Sequence, residues 1–253
     1  MSGPYWDVAW NPMTGCTPIS PGCERCWAER TSRRFYSGWN PSAHFTPTFH
    51  PDRLDKPLHW HKPRRVFVCN TSDLFHESFT DEQIIAVFTV MTLHPRHTFM
   101  VLTKRPQRMQ EIIRWLDMES QSADFRTFEL PNVHLGVTVC NQAEADRNIP
   151  ILLNTPAAVR WLSIEPMLGP VTLINGTGSW DYLRGAHSRN ISTSRIDWVV
   201  LGAETGPGAR IMQPEWALDV FQQCKAAGVP FFWKGGSRSV VYDEEMASTK
   251  ELP

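Results

Sequence analysis

The sequence predicts an α/β fold built on a mostly parallel sheet, and three observations predict it. About seven short runs are apolar on both faces, as strands covered by helices on two sides must be. Segments of helical period separate most of them. Polar, charged or thiol residues stand directly after the runs, where parallel α/β folds gather their functional groups. Repeated βα units in this number fit a partial or complete barrel or a doubly wound sheet. The 253 residues, 42% of them hydrophobic, are enough to bury a sizeable core.

Taken in order, Tyr5–Trp10 reads as a short strand and Cys23–Tyr36 as a helix that opens inside a cysteine loop. Residues 37–64, rich in Pro, His and Trp, form a long excursion. Arg65–Asn70 is an apolar strand. Asp81–Leu93 has helical spacing at Ile84, Ile85, Phe88 and Met91, with Thr80 as its N-cap. Thr98–Thr103 is the next strand, and Pro106–Met118 a helix with proline in its first turn. Val133–Val139 is a strand and Gln142–Leu153 a helix. Val159–Ile164 and Trp198–Gly202 are strands, separated by an insertion at about 167–197 rich in Gly, Ser and Asn. Pro214–Ala227 is a helix stopped by Gly228, and Val229–Trp233 closes the series. Residues 236–253 read as a polar tail open to disorder.

Charge is nearly balanced, with 25 basic and 26 acidic residues, which excludes a strongly basic surface. The balance is uneven: residues 1–110 carry 13 basic and 9 acidic residues, and residues 111–253 carry 12 and 17. Arg30, Arg33, Arg34, Arg64 and Arg65, interleaved with Trp39, Trp60 and several His, could form a basic, aromatic face for nucleic acid. No signal peptide or membrane span is apparent, so a cytoplasmic protein is expected. In that reducing compartment the six cysteines are ligands, nucleophiles or core residues rather than disulfides.

The stretch Gly15–Trp27, GCTPISPGCERCW, sets Cys16, Cys23 and Cys26 as C-x6-C-x2-C. Thiolates spaced this closely in a loop that opens onto a helix can converge, and the helix N-terminus favours their charge. Three readings are open. The thiols could be chance packing. They could bind zinc with a fourth ligand such as His44 or His50. They could hold an iron–sulfur cluster with one iron left open to another ligand. The last is preferred. Cys69 and Cys224 read as core residues, and Cys140 follows a strand and could face the site.

The opening WNPMTGCTPISPGCERCWAER resembles the phage-associated three-cysteine-motif family, a branch similar to radical S-adenosylmethionine (SAM) enzymes. CNTSDLFHE, FMVLTKRPQRM, LGVTVCNQ, WLSIEPMLGP, VVLGAETGPGAR and VPFFWK extend the match over residues 5–235. The resemblance implies a partial TIM-like (β/α) barrel of about six or seven mostly parallel strands in a single domain, residues 1–235. It implies a 4Fe–4S cluster on Cys16, Cys23 and Cys26 whose open iron chelates SAM. One electron from a donor would cleave SAM to a 5′-deoxyadenosyl radical that abstracts hydrogen from a substrate. The commoner radical SAM spacing is C-x3-C-x2-C, and the longer first gap here leaves the SAM pose less defined.

By the same resemblance, Asn70, Thr71, Ser72 and Asp73 lie where the SAM amino group is held. Lys104 and Arg105 would meet the SAM carboxylate or a substrate phosphate, and Thr138 and Asn141 the ribose hydroxyls. Trp27 would shield the cluster or stack near adenine. Glu165 needs a partner if buried, whether SAM, substrate or an arginine; with Lys104 it is the candidate catalytic residue. Glu204 sits on a glycine-rich turn where backbone could approach a ligand. The family's phage association points to a nucleic-acid or nucleotide base as substrate, for modification or repair. The rival function is a non-enzymatic zinc- or cluster-binding module that organises a partner protein. A third reading is a cluster protein that no longer cleaves SAM.

Overall fold

The computed structural model describes residues 5–36, 45–122, 130–173, 181–185, 194–238 and 240–253. The chain begins with β1 (Val8–Trp10) and β2 (Met13–Thr14), then α1 (Trp27–Tyr36) and β3 (Thr48–Phe49). Regular βα alternation follows: β4 (Arg65–Val68), α2 (Asp81–Leu93), β5 (Thr98–Thr103), α3 (Pro106–Ser122), β6 (Val133–Thr138), α4 (Gln142–Leu153) and β7 (Val159–Ile164). The chain then forms β8 (Trp198–Gly202), α5 (Pro214–Ala227), β9 (Phe231–Gly235) and α6 (Glu244–Ser248).

Seven strands make one sheet in the order β1-β4-β5-β6-β7-β8-β9, each parallel to its neighbour. The sheet curls into a half-barrel, the partial TIM-like barrel that the family resemblance implies. β2 and β3 stand apart as a small antiparallel pair. Thr80 caps α2 in a reciprocal box with Gln83, and Gly228 ends α5 in the left-handed conformation at φ 65°, as their positions in sequence predict.

Period-2 alternation splits each strand between two cores. Val66, Val68, Phe99, Val101, Leu135, Leu162 and Val199 face outward under the helices, in the larger cluster. Phe67, Met100, Trp161, Trp198 and Phe232 point into the concave side, where Tyr5 joins them. The Tyr5 ring lies 5.2 Å from that of Trp198 and 5.4 Å from that of Phe232, both edge-on, the geometry that ring quadrupoles prefer. This aromatic floor plugs the half-barrel, and the cavity lies above it, at the C-terminal ends of the strands.

Several sequence expectations shift. The first helix begins at Trp27 rather than Cys23, because Pro21–Cys23 forms a separate 3-10 turn capped by Ser20. Residues 236–253 are not a disordered tail over 240–253: α6 forms, Thr249 O accepts from Trp233 N, and Glu251 bonds Phe231 N and Trp198 Nε1. Of the 37–64 excursion, residues 45–64 carry β3 and two 3-10 turns, and the rest lies outside the described residues. In the 167–197 insertion, Leu173, Tyr182 and Ile196 are buried and joined by backbone bonds; residues 174–180 and 186–193 lie outside the described residues. No described helix is long and apolar enough to cross a membrane.

The floor makes a test. A Cβ on Gly136 would meet the Trp161 ring at 2.4–2.6 Å. Gly136→Ala should cost about 1–3 kcal/mol in urea denaturation through overpacking. Gly169→Ala, whose added Cβ meets only Asn141 at 3.8 Å, should stay within about 0.5 kcal/mol.

Candidate functional site

The cysteine loop reaches the top of the half-barrel because Gly15 lets it. Its φ is +79°, and a Cβ there would lie 2.1 Å from Thr46 O, so only glycine fits. Gly15 N donates to Thr71 O at 3.0 Å, and Ser72 Oγ donates to Gly15 O at 2.6 Å, a parallel bridge to the end of β4. Cys16 N donates to Phe45 O.

Two arginines grip the loop at different points. Arg105 donates to Thr17 O and to the Cys16 Sγ, while Glu77 and Asp73 hold its guanidinium. Arg210 donates to Pro21 O at 2.9 Å and pairs with Glu24 at 3.1 Å. Glu204, buried, accepts from Arg210 Nε at 3.0 Å and from Arg210 N at 2.8 Å. Gly206 and Gly208 lie against the guanidinium groups of Arg30 and Arg25, so this turn receives cations from α1 and from the loop. Burial acts to raise the Glu204 pKa, but the hydrogen bonds and charge of Arg210, with Arg25 behind them, outweigh it and hold the carboxyl below its ordinary value.

Cys16, Cys23 and Cys26 all line the same cavity above the aromatic floor. Burial, aided by Asp73, pushes the Cys16 thiol up to about 11. Among the described residues, no group of three or more His, Cys, Asp or Glu side chains is drawn together so as to hold a metal ion. The three thiols are therefore not a preassembled single-ion site. Thiolates on a 4Fe–4S cluster bind different irons, so they need to face one cavity rather than meet at one point; these three do face one. Zinc requires a tighter, four-ligand set. His50, considered as its fourth ligand, bonds Thr14 Oγ1 instead, and His44 lies outside the described residues.

The other expected site residues divide. Asn70 and Thr71 line the cavity, and Asn70 Oδ1 and Thr71 Oγ1 are buried with no hydrogen-bond partner. Ser72 is committed to Gly15. Asp73 is committed to Thr103 Oγ1 at 2.6 Å and to Phe75 N and Lys104 N, both at 3.0 Å, so it organises the strand end. Arg105 is likewise taken up by the loop. Lys104 lines the cavity; burial opposes its charge, but the thiols of Cys140, Cys23 and Cys26 and the Asp73 carboxylate outweigh that, and its pKa is raised. Trp27 is on the cavity rim, 47% exposed. Glu165 finds its partner in Lys234, at 2.7 Å, a residue that sequence reading did not single out. Thr138 and Asn141 do not line the cavity: Thr138 is buried with its carbonyl bonded to Asn148, and Asn141 caps α4. Cys69 and Cys224 are buried as expected.

Residues 3–250 match the model of a family described as "Protein of unknown function (DUF5131)". The chain belongs to that family. No curated protein matches it. Among solved structures it is similar to a spore photoproduct lyase complexed with dinucleoside spore photoproduct, at 9% identity and a TM-score of 0.48, over 87% of this chain and 72% of that one.

In this DUF5131 protein the basic, aromatic face read from sequence is split. Arg64 and Arg65 sit at the N-terminal end of β4, where Arg65 pairs with Asp7 and Arg64 lies over Trp60. Arg30, Arg33 and Arg34 belong to α1 at the opposite end, and Trp39 lies outside the described residues. Arg25 and Arg30 line the cavity, together with Lys104, Arg105 and Lys234. Lys234 went unnoticed in the sequence although it stands in a quoted motif, because its partner Glu165 is 69 residues away. Arg210 went unnoticed although its partner Glu204 stands six residues before it in the same motif; its second partner, Glu24, is 186 residues away.

The clamp has a pH signature. A carboxyl whose folded pKa lies below its ordinary value of 4.5 adds stability above that value and loses it as pH falls through the folded value. Glu204→Gln should therefore lower stability at neutral pH by about 1–3 kcal/mol and flatten the loss of stability below about pH 4.5. Urea melts at stepped pH would read both.

Proposed function

We propose that this protein is a radical SAM enzyme acting on a nucleic-acid or nucleotide base. The observation that carries the reading is the company the three thiols keep. They line one cavity at the C-terminal ends of a parallel half-barrel, beside two buried oxygens, Asn70 Oδ1 and Thr71 Oγ1, that have no partner. Buried polar atoms of this kind cost free energy unless a ligand satisfies them, and an ammonium group would.

In this reading Cys16, Cys23 and Cys26 hold the 4Fe–4S cluster. Asn70 and Thr71 take the amino group of SAM, and Lys104 its carboxylate. Bound there, cluster and SAM would supply a 5′-deoxyadenosyl radical that removes hydrogen from the substrate. The chain's own part is to bind, orient and exclude water. Tyr5, Trp6 and Phe67 close the cavity from below. Lys104 balances charge next to the thiols, and Glu165 faces the substrate as a catalytic or positioning carboxylate. Arg25 and Arg30 at the mouth, with the exposed Trp27, suit a phosphate and a stacked base. A one-electron donor is required.

Anaerobic reconstitution with iron and sulfide, followed by dithionite and SAM, should give a brown protein and 5′-deoxyadenosine. Alanine at Cys16, Cys23 and Cys26 together should abolish both. Zinc without iron in protein purified without oxygen, and no 5′-deoxyadenosine, would count decisively against the reading. With the cluster retained, Thr71→Val should weaken SAM binding about tenfold, the effect of one lost hydrogen bond to a charged group. Calorimetric titration would measure it.

A further inference from the structure

The same cavity carries a second set of groups of a different chemistry. Its floor is aromatic and apolar: Tyr5, Trp6, Phe67 and Leu102 line it. On its wall, Glu165 just past β7 and Lys234 on β9 form an ion pair, with Nζ 2.7 Å from Oε1 and 2.8 Å from Oε2. β8 lies between those strands, and its residue at that level is Gly202. A Cβ on Gly202 would meet the Glu165 side chain at 3.4 Å and Lys234 Cβ at 3.3 Å. Glycine there leaves the space in which the two side chains meet across an intervening strand. The pair has little bracing to do, because β8 already bonds to both neighbours along its length. A part-exposed ion pair contributes only about 0–1 kcal/mol to stability.

We infer that Glu165 and Lys234 read the edge of a planar base carrying a ring N–H beside a carbonyl, as in uracil, thymine or guanine. This rests on the reading that the site acts on a nucleic-acid base, and it makes the two residues determinants of which base. The carboxylate only accepts and the ammonium only donates, so together they complement an N–H next to a C=O. The ring N–H of these bases is more acidic than the exocyclic amine of cytosine and bonds a carboxylate more strongly. In uracil and thymine that N–H has a carbonyl on each side, so either orientation of the ring presents the matching pair. The Tyr5, Trp6 and Phe67 surface supplies apolar contact for the ring.

The test is calorimetric titration of the full-length protein, kept anaerobic, with uridine, N3-methyluridine and cytidine. Uridine should bind at least about tenfold more tightly than either of the others, since methylation removes the N–H and cytidine lacks it. Glu165→Gln and Lys234→Met should each reduce uridine affinity at least about tenfold, with Glu165→Asp retaining part of it. Thermal melts identify a variant that fails to fold, and the other two then carry the comparison. Equal binding of uridine and N3-methyluridine, no uridine binding at millimolar concentration, or unchanged affinity in folded Glu165→Gln would each overturn the inference. The reconstitution assay is run beside it. Uridine binding without 5′-deoxyadenosine formation sinks the radical reading and leaves the base pocket, and the reverse sinks the base pocket alone.

Discussion

The contact between the backbone at Gly15 and the chain at Thr46 is the constraint on which the site depends. No side chain fits there, and the backbone turns through a conformation that glycine alone adopts freely. That close approach lets Gly15 bridge to Thr71 and Ser72 at the end of β4 and brings Cys16 over the mouth of the half-barrel. A bulkier residue would have to push the loop away from β4, and the thiols would leave the cavity with it. Arg105 and Arg210 then fix the direction in which the loop runs. Each is itself held by a carboxylate of low exposure, Asp73 and Glu204.

The cavity carries two kinds of group because the strands that form its rim end differently. β4 and β5 end in hydroxyl, amide, carboxylate and cationic groups. β7 and β9 end in a carboxylate and an ammonium above an aromatic floor. A parallel half-barrel puts all these ends on one side, so two environments open into a single space. The cost of burying charge is met on the spot: Asp73 by Thr103 and two backbone amides, Glu204 by Arg210, Glu165 by Lys234. Among the described residues that line the cavity, Asn70 and Thr71 each have a buried oxygen, Oδ1 and Oγ1, without such an answer.

The aromatic floor explains how a sheet open at β1 and β9 can still enclose a site. Tyr5, ahead of β1, packs on Trp161, Trp198 and Phe232 across the concave side, and the C-terminal segment pairs with β9 through Phe232 and Lys250. The segments before β1 and after β9 thus help close the bottom of the half-barrel, which directs access to the upper end.

The sequence by itself determined the elements and the kind of sheet. Apolar runs at βα spacing, Thr80 before α2 and Gly228 after α5 act over a few residues, and such local rules can be read without a fold. The three thiols were legible for the same reason, because they lie within eleven residues of one loop. What the polar strand-end residues do was decided by tertiary structure. Ser72 and Asp73 look like ligand groups in sequence but are spent on Gly15, Thr103 and two amides; Asn141 is spent on capping α4. The Glu165–Lys234 pair, the contact of Arg210 with Glu24, the division of the arginines between two ends of the sheet and the docking of the C-terminal segment all depend on how the elements are placed in space. A carboxylate's partner is fixed by distance in space, and only the curl of the sheet brings residues 69 positions apart to within a hydrogen bond.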